Sequence, residues 1–311
     1  MRTLADKKNC QDSRLKKMKK IIVSLAIIAV VGAIVVGATT AFFSDTETST
    51  GNTFTAGSID LKVDNTCHFD GMICEDGVWK EESTGSSSYP ELIGEDCACT
   101  WLAKDLDGDV FVNFEDLKPG DHGEDTISFH VNSNDSWLCG KMIVSANLDV
   151  TCTEPESESS DPHCSQDPSN PGKGELGGRI GVFAWVDMCD DSGKNASPGD
   201  NIYQPGCDVK ITQSPIGITG LVSDDYKTIA DSNSNIFANG ASDTPLEGGK
   251  DYYIGAAWCF GNMSVDETTG EISCDGSSVG NEAQTDILQF KLYFEAVQSR
   301  NNDSFVCGSG G

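Results

Sequence analysis

The chain of 311 residues is poor in the groups that build catalytic centres. It has four histidines, His68, His122, His130 and His163, far apart in sequence. There is no H-E-x-x-H, which would set two imidazoles one helical turn apart on a zinc ion with a carboxylate base beside them. There is no C-x-x-C pair of the kind that opens a zinc ribbon. Basic residues are scarce as well: Lys+Arg number 21 against 49 Asp+Glu, for a formal charge of -28. Eight of the basic residues lie before Ile21, so the remainder of the chain carries 13 basic against 47 acidic residues. Such a surface repels phosphate backbones and excludes nucleic acid as a partner. It suits a soluble exported protein that meets cations. Long helical periodicity is missing everywhere beyond the N-terminal region.

Charge is absent altogether from Ile21 to Phe43, and the run IIVSLAIIAVVGAIVV comes directly after the basic cluster KKMKK. Positive charge ahead of an apolar run holds the N-terminus in the cytoplasm and sends the rest outward. Residues 1–41 read as a signal peptide, with a basic region over 1–20 and an apolar helix over 21–41. Thr39-Thr40-Ala41 supplies the small residues of a cleavage site. An uncut helix that keeps the protein on the membrane is the alternative, since about 20 apolar residues span a bilayer. Either way residues 42–311 are outside the cell, secreted or at the surface, and any membrane contact runs through the N-terminal segment.

Cysteine usage fits that compartment. Beyond Cys10 there are 12 cysteines, an even set that reads as a disulfide framework. Proximity in sequence suggests Cys67 with Cys74, Cys152 with Cys164, Cys189 with Cys207 and Cys259 with Cys274.

After the apolar run the hydrophobic pattern alternates, as in a strand with one buried face. Ile59, Leu61 and Val63 point one way in SIDLKVD, and Ile127, Phe129 and Val131 in TISFHV. KMIVSANLDV places Met142, Val144, Ala146, Leu148 and Val150 together, and DILQFKLYFEAVQ does the same with Leu288, Phe290, Leu292, Phe294 and Ala296. RIGVFAWVD and DYYIGAAWCF are apolar on both faces and read as central strands. Long Gly/Ser/Asn/Asp-rich connections flanked by cysteines separate them. The predicted fold is all-β: one antiparallel, jelly-roll-like β-sandwich over 42–311 with disulfide-stapled loops, preceded by the N-terminal hydrophobic helix.

Two loops are acidic enough to hold a cation. DLDGDVFVNFED sets Asp105, Asp107 and Asp109 at alternate positions, with Asp116 further on, and DMCDDSGKNASPGD offers Asp187, Asp190, Asp191 and Asp200. Hard oxygens at that spacing suit Ca²⁺, although Gly108 stands out of place for an EF-hand and no helices flank the loop. The plainer reading of both is an acidic turn. Nothing in the sequence requires a cofactor.

AFFSDTETSTGNTFTAGSIDL, directly after an apolar run, resembles the start of mature proteins of the TasA/camelysin family, whose export uses a SipW-type signal peptidase. FEDLKPGDHGEDTISFHVNSNDSW and FAWVDMCDDSGKNASPGD are similar to further blocks of that family. The resemblance implies a jelly-roll subunit of extracellular or biofilm-matrix fibres, a homopolymer in which the N-terminal strand of one subunit completes a neighbour's sheet. On that reading Phe42, Phe43 and Phe54 belong to the assembly strand, and other matrix or cell-surface components are further partners. Composition alone reads the same stretch as the first strand of its own domain. Two opposing functions stay open: a camelysin-like secreted metalloendopeptidase, and a membrane-anchored monomeric adhesin.

Overall fold

The structure is a computed structural model, and it describes residues 44–47, 59–82, 87–106, 111–115, 117–150, 156, 173–189, 198–238 and 243–308. Residues 1–41, which the sequence reads as a signal peptide, and Phe42, Phe43 and Phe54 lie outside the described residues.

The N-terminal half of the described chain supplies β1 (Ser44–Glu47), β2 (Leu61–Phe69), β3 (Met72–Glu75), β4 (Val78–Glu81), β5 (Trp101–Lys104), β6 (Val112–Glu115), β7 (His122–Val131) and β8 (Ser136–Asp149). The C-terminal half supplies β9 (Ile180–Val186), β10 (Val209–Lys210), β11 (Ile216–Gly217), β12 (Lys227–Ala230), β13 (Lys250–Phe260), β14 (Asn262–Val265), β15 (Ile272–Asp275) and β16 (Asp286–Gln298). They form two principal antiparallel sheets. One has the order β1-β16-β8-β12, with β6 also on β16; the other runs β10-β9-β13-β7-β2-β3-β4, with β11 on β9 and β5 on β2. β14 and β15 pair as a separate hairpin.

Local chemistry explains several of these pairings. β2–β3 and β3–β4 are joined by Asp70-Gly71 and Asp76-Gly77, and all four residues have positive φ. That is the two-residue turn whose twist matches the strands it joins. The alternating residues do meet between the sheets: Phe129 of β7 and Phe294 of β16 pack edge to face at 4.8 Å, among Leu61, Val63, Leu138 and Ala296. A second cluster gathers Leu176, Ile180, Phe260, Leu288 and Phe290. Each such side chain contributes about 1.5–3 kcal/mol on full burial.

β9 and β13 are central strands, as their two-sided apolarity predicts, because the outer face of β9 is covered too. Phe183 and Trp185 pack there with Tyr203, against Met263, Val265 and Ile272 of the β14–β15 hairpin. Trp185 is paired across the ladder with Gly255, and a Cβ at Gly255 would lie 2.3 Å from the indole ring.

One expected alternation breaks. In β8 the ladder to β16 runs Met142↔Leu292 and Val144↔Phe290, then Ala146↔Gln289, so Ser145 is an extra residue. This bulge reverses the facing of the rest of the strand. Asn147 and Asp149, not Ala146 and Leu148, sit opposite Leu288 and Asp286 on the core face. Between the sheets lies an apolar cavity of about 380 Å³, lined by residues that include Phe111, Phe129, Met142, Ile254, Leu292 and Phe294.

Candidate functional site

The N-terminal strand lies where the chain offers a sheet edge. β16 has thirteen residues, and β8 covers one side of it along its whole length. Its other side is covered by two strands of four residues: β6 pairs with Ile287–Phe290, and β1 pairs with Phe294–Val297. The resemblance places the first strand on a neighbour's sheet; in the single chain the backbone of Ser44–Glu47 lies on its own β16.

The first acidic loop is described in part. Asp105 has a buried Oδ1 without a hydrogen-bond partner; Asp107, Asp109 and Asp116 lie outside the described residues. In the second loop, Asp187 receives the N–H groups of Gly199 and Asn201 at 3.0 and 2.8 Å. Burial pushes the Asp187 carboxyl up to about 6, against the pull of those donors. Asp200 accepts from Ile202 N and Gln204 Nε2, and Asp208 caps Met188, Cys189 and Gln204. The described carboxylates here organise backbone turns. Asp190 and Asp191 lie outside the described residues.

Five disulfides brace the described chain, and Cys189–Cys207 and Cys259–Cys274 are among them. Cys67 does not bond Cys74. Cys67 joins Cys99 and Cys74 joins Cys97. The register His68↔Ile73 of the β2–β3 hairpin brings Cys67 and Cys74 side by side. Both then reach the CAC run, whose alternate cysteines match that spacing. Cys139 of β8 bonds Cys307, 168 residues on. Cys152 and Cys164 lie outside the described residues.

The three described histidines do not converge, and His163 lies outside the described residues. His68 is held by Glu82 at 3.2 Å and by the Asn201 amide at 2.9 Å. Burial lowers its pKa despite the charge of Glu82. His122 faces Gly120 O and Asp70. His130 sits on β7 between Asp64 of β2 and Asp251 of β13, at 2.8 and 2.7 Å. Burial opposes its protonation, but the two carboxylates outweigh it and raise its pKa. Among the described residues, no histidine belongs to a group of three metal-ligating side chains, and Cys67, Cys74 and Cys99 are spent in disulfides. The described residues therefore do not fit a zinc peptidase centre. Gly276–Gly280, GSSVG, has the G-x-S-x-G spacing. Its Ser278 lies on an exposed turn after β15, bonded to Asn262, with no helix after it, so it is not a nucleophile elbow.

Residues 15–74 match the family model of camelysin metallo-endopeptidase. The match runs from the basic leader through β2 into β3, over the part of the chain that carries the strongest resemblance, and it supports the TasA/camelysin-like assignment. Neither the curated proteins nor the solved structures include a match to the chain.

Proposed function

We propose that the chain is the structural subunit of an extracellular surface or matrix fibre, assembled by exchange of its N-terminal strand between copies. The observation that carries this reading is the edge of β16. A four-residue strand, alone on that stretch, closes a slot that a second copy's identical strand fits equally well. Exchange of an identical element costs little, and a head-to-tail exchange that does not close propagates as a filament. The apolar cavity between the sheets strengthens it. That cavity is a half-open cleft of about 380 Å³ with a mostly apolar lining, and the phenylalanines of an incoming N-terminal segment are an occupant with the right chemistry. Five disulfides among the described residues agree with an oxidising, extracellular setting. Other matrix or surface components are further partners on this reading.

Electron microscopy of the protein beginning near Phe42 tests this directly. Filaments are expected from it and not from protein lacking residues 42–50; normal filaments from the shortened protein refute strand exchange. Proteolysis of protein substrates without filaments would turn the reading to the endopeptidase that the family's description names. A native N-terminus that retains the apolar helix would turn it to an anchored adhesin.

A further inference from the structure

The bulge at Ser145 brings together three carboxylates that are distant in sequence. Asp149 ends β8, Asp286 begins β16, and the two are direct cross-strand partners on the core face. Glu156, from the segment after β8, joins them. All three side chains are buried, at 0, 0 and 1 % exposure for Asp149, Glu156 and Asp286, and each offers an oxygen within 4.8 Å of the others. Asp286 Oδ2 accepts the N–H groups of Glu175 and Leu176, but Oδ1 of the same carboxyl is buried with no hydrogen-bond partner. The amide oxygen of Asn147, also buried, has none either. The Asn147 amide borders the same carboxyl, on the side of its hydrogen-bonded oxygen: a Cβ on Gly174 would lie 2.9 Å from Asn147 Oδ1 and 3.0 Å from Asp286 Oδ2.

We propose that Asp149, Glu156 and Asp286, with the amide oxygen of Asn147, bind one Ca²⁺ ion. Like charges taken out of water this close together cannot all stay ionised without a compensating positive charge. Oxygens that all lie within 4.8 Å of one another are no further apart than about twice the Ca–O distance of about 2.3–2.6 Å, the separation found between ligands of one ion. An all-oxygen set, with no imidazole or thiolate, selects a hard cation over zinc. The ion ties Glu156 to the ends of the two long strands of the β8–β16 sheet. The proposal is independent of strand exchange.

Protein as released by the cell, stripped with EGTA, is titrated with Ca²⁺ and with Mg²⁺ in a calorimeter and melted with and without Ca²⁺. One Ca²⁺ per chain is expected, with Tm raised by roughly 5–10 °C when Ca²⁺ stands a hundredfold above its Kd. Asp286→Asn and Glu156→Gln each weaken binding by at least about tenfold, while Asp187→Asn leaves it unchanged. If Asp286→Asn fails to fold, Glu156→Gln alone decides, because Glu156 lies outside the strands. No bound Ca²⁺ in the wild type, binding untouched by Glu156→Gln, or tighter binding of Mg²⁺ overturns the proposal.

Discussion

The first strand should be the most weakly held part of the sheet it completes. Its four residues pair with Phe294–Val297, and an antiparallel ladder of that length contains about four backbone hydrogen bonds. At about 1 kcal/mol net each they contribute about 4 kcal/mol. Ordering four residues costs about 4–8 kcal/mol in backbone entropy. The ladder alone therefore does not hold β1 closed, whereas β8 and β16 share thirteen paired positions and bury Leu138, Leu288 and Phe290 completely. In the isolated subunit, amide hydrogens of 44–47 should exchange with less than about tenfold protection, about 1.4 kcal/mol of opening free energy, while those of β8 and β16 open only with global unfolding. In filaments the same amides should become as slow as the core. Hydrogen-exchange mass spectrometry on both states reads this. A disulfide placed across the register by T46C/E295C should also hold the subunit monomeric until it is reduced. Core-like protection of 44–47 in the monomer, or filaments from the oxidised double variant, would refute the reasoning.

The packing dictates three other outcomes. Replacing the pair Cys139 and Cys307 by serine should cost about 5 kcal/mol and replacing Cys259 and Cys274 about 3 kcal/mol, because loop entropy grows with the residues enclosed, 168 against 15; equal losses in urea titrations would count against this. Gly255→Ala should destabilise by roughly 1–3 kcal/mol, since its methyl group enters the Trp185 ring, and the same melt should show the buried tryptophan's fluorescence shifted. His130 ties β7 to β2 and β13 through Asp64 and Asp251. Its folded pKa is raised, so its stabilisation is complete below the unfolded value of about 6.5 and is lost as pH rises through the folded value. His130→Gln should therefore flatten the fall in stability between pH 6 and 9, and an unchanged slope would show that the clamp is not coupled to folding.

Much of this architecture is legible in the residues because period-two alternation directly encodes one buried face. Ile59, Leu61 and Val63, then Phe129 and Val131, then Leu288, Phe290, Phe294 and Ala296 are all core. The β2–β3–β4 hairpins were open to the same reading through their Asp-Gly turns. Strands of two to four residues, such as β10, β11 and β12, hold too little periodicity to stand out from loops. Proximity misled at Cys67 and Cys74, where being neighbours across a hairpin meant facing a third segment together.

The amino-acid order by itself determined that the chain is acidic, rich in cysteine and built of half-buried strands. These properties come from composition and local repetition, which need no knowledge of what touches what. Only the tertiary structure decided which cysteines meet and which carboxylates share a site. Both depend on register between distant strands, and in the β8–β16 pair one extra residue at Ser145 turns Asn147 and Asp149 inward to meet Asp286.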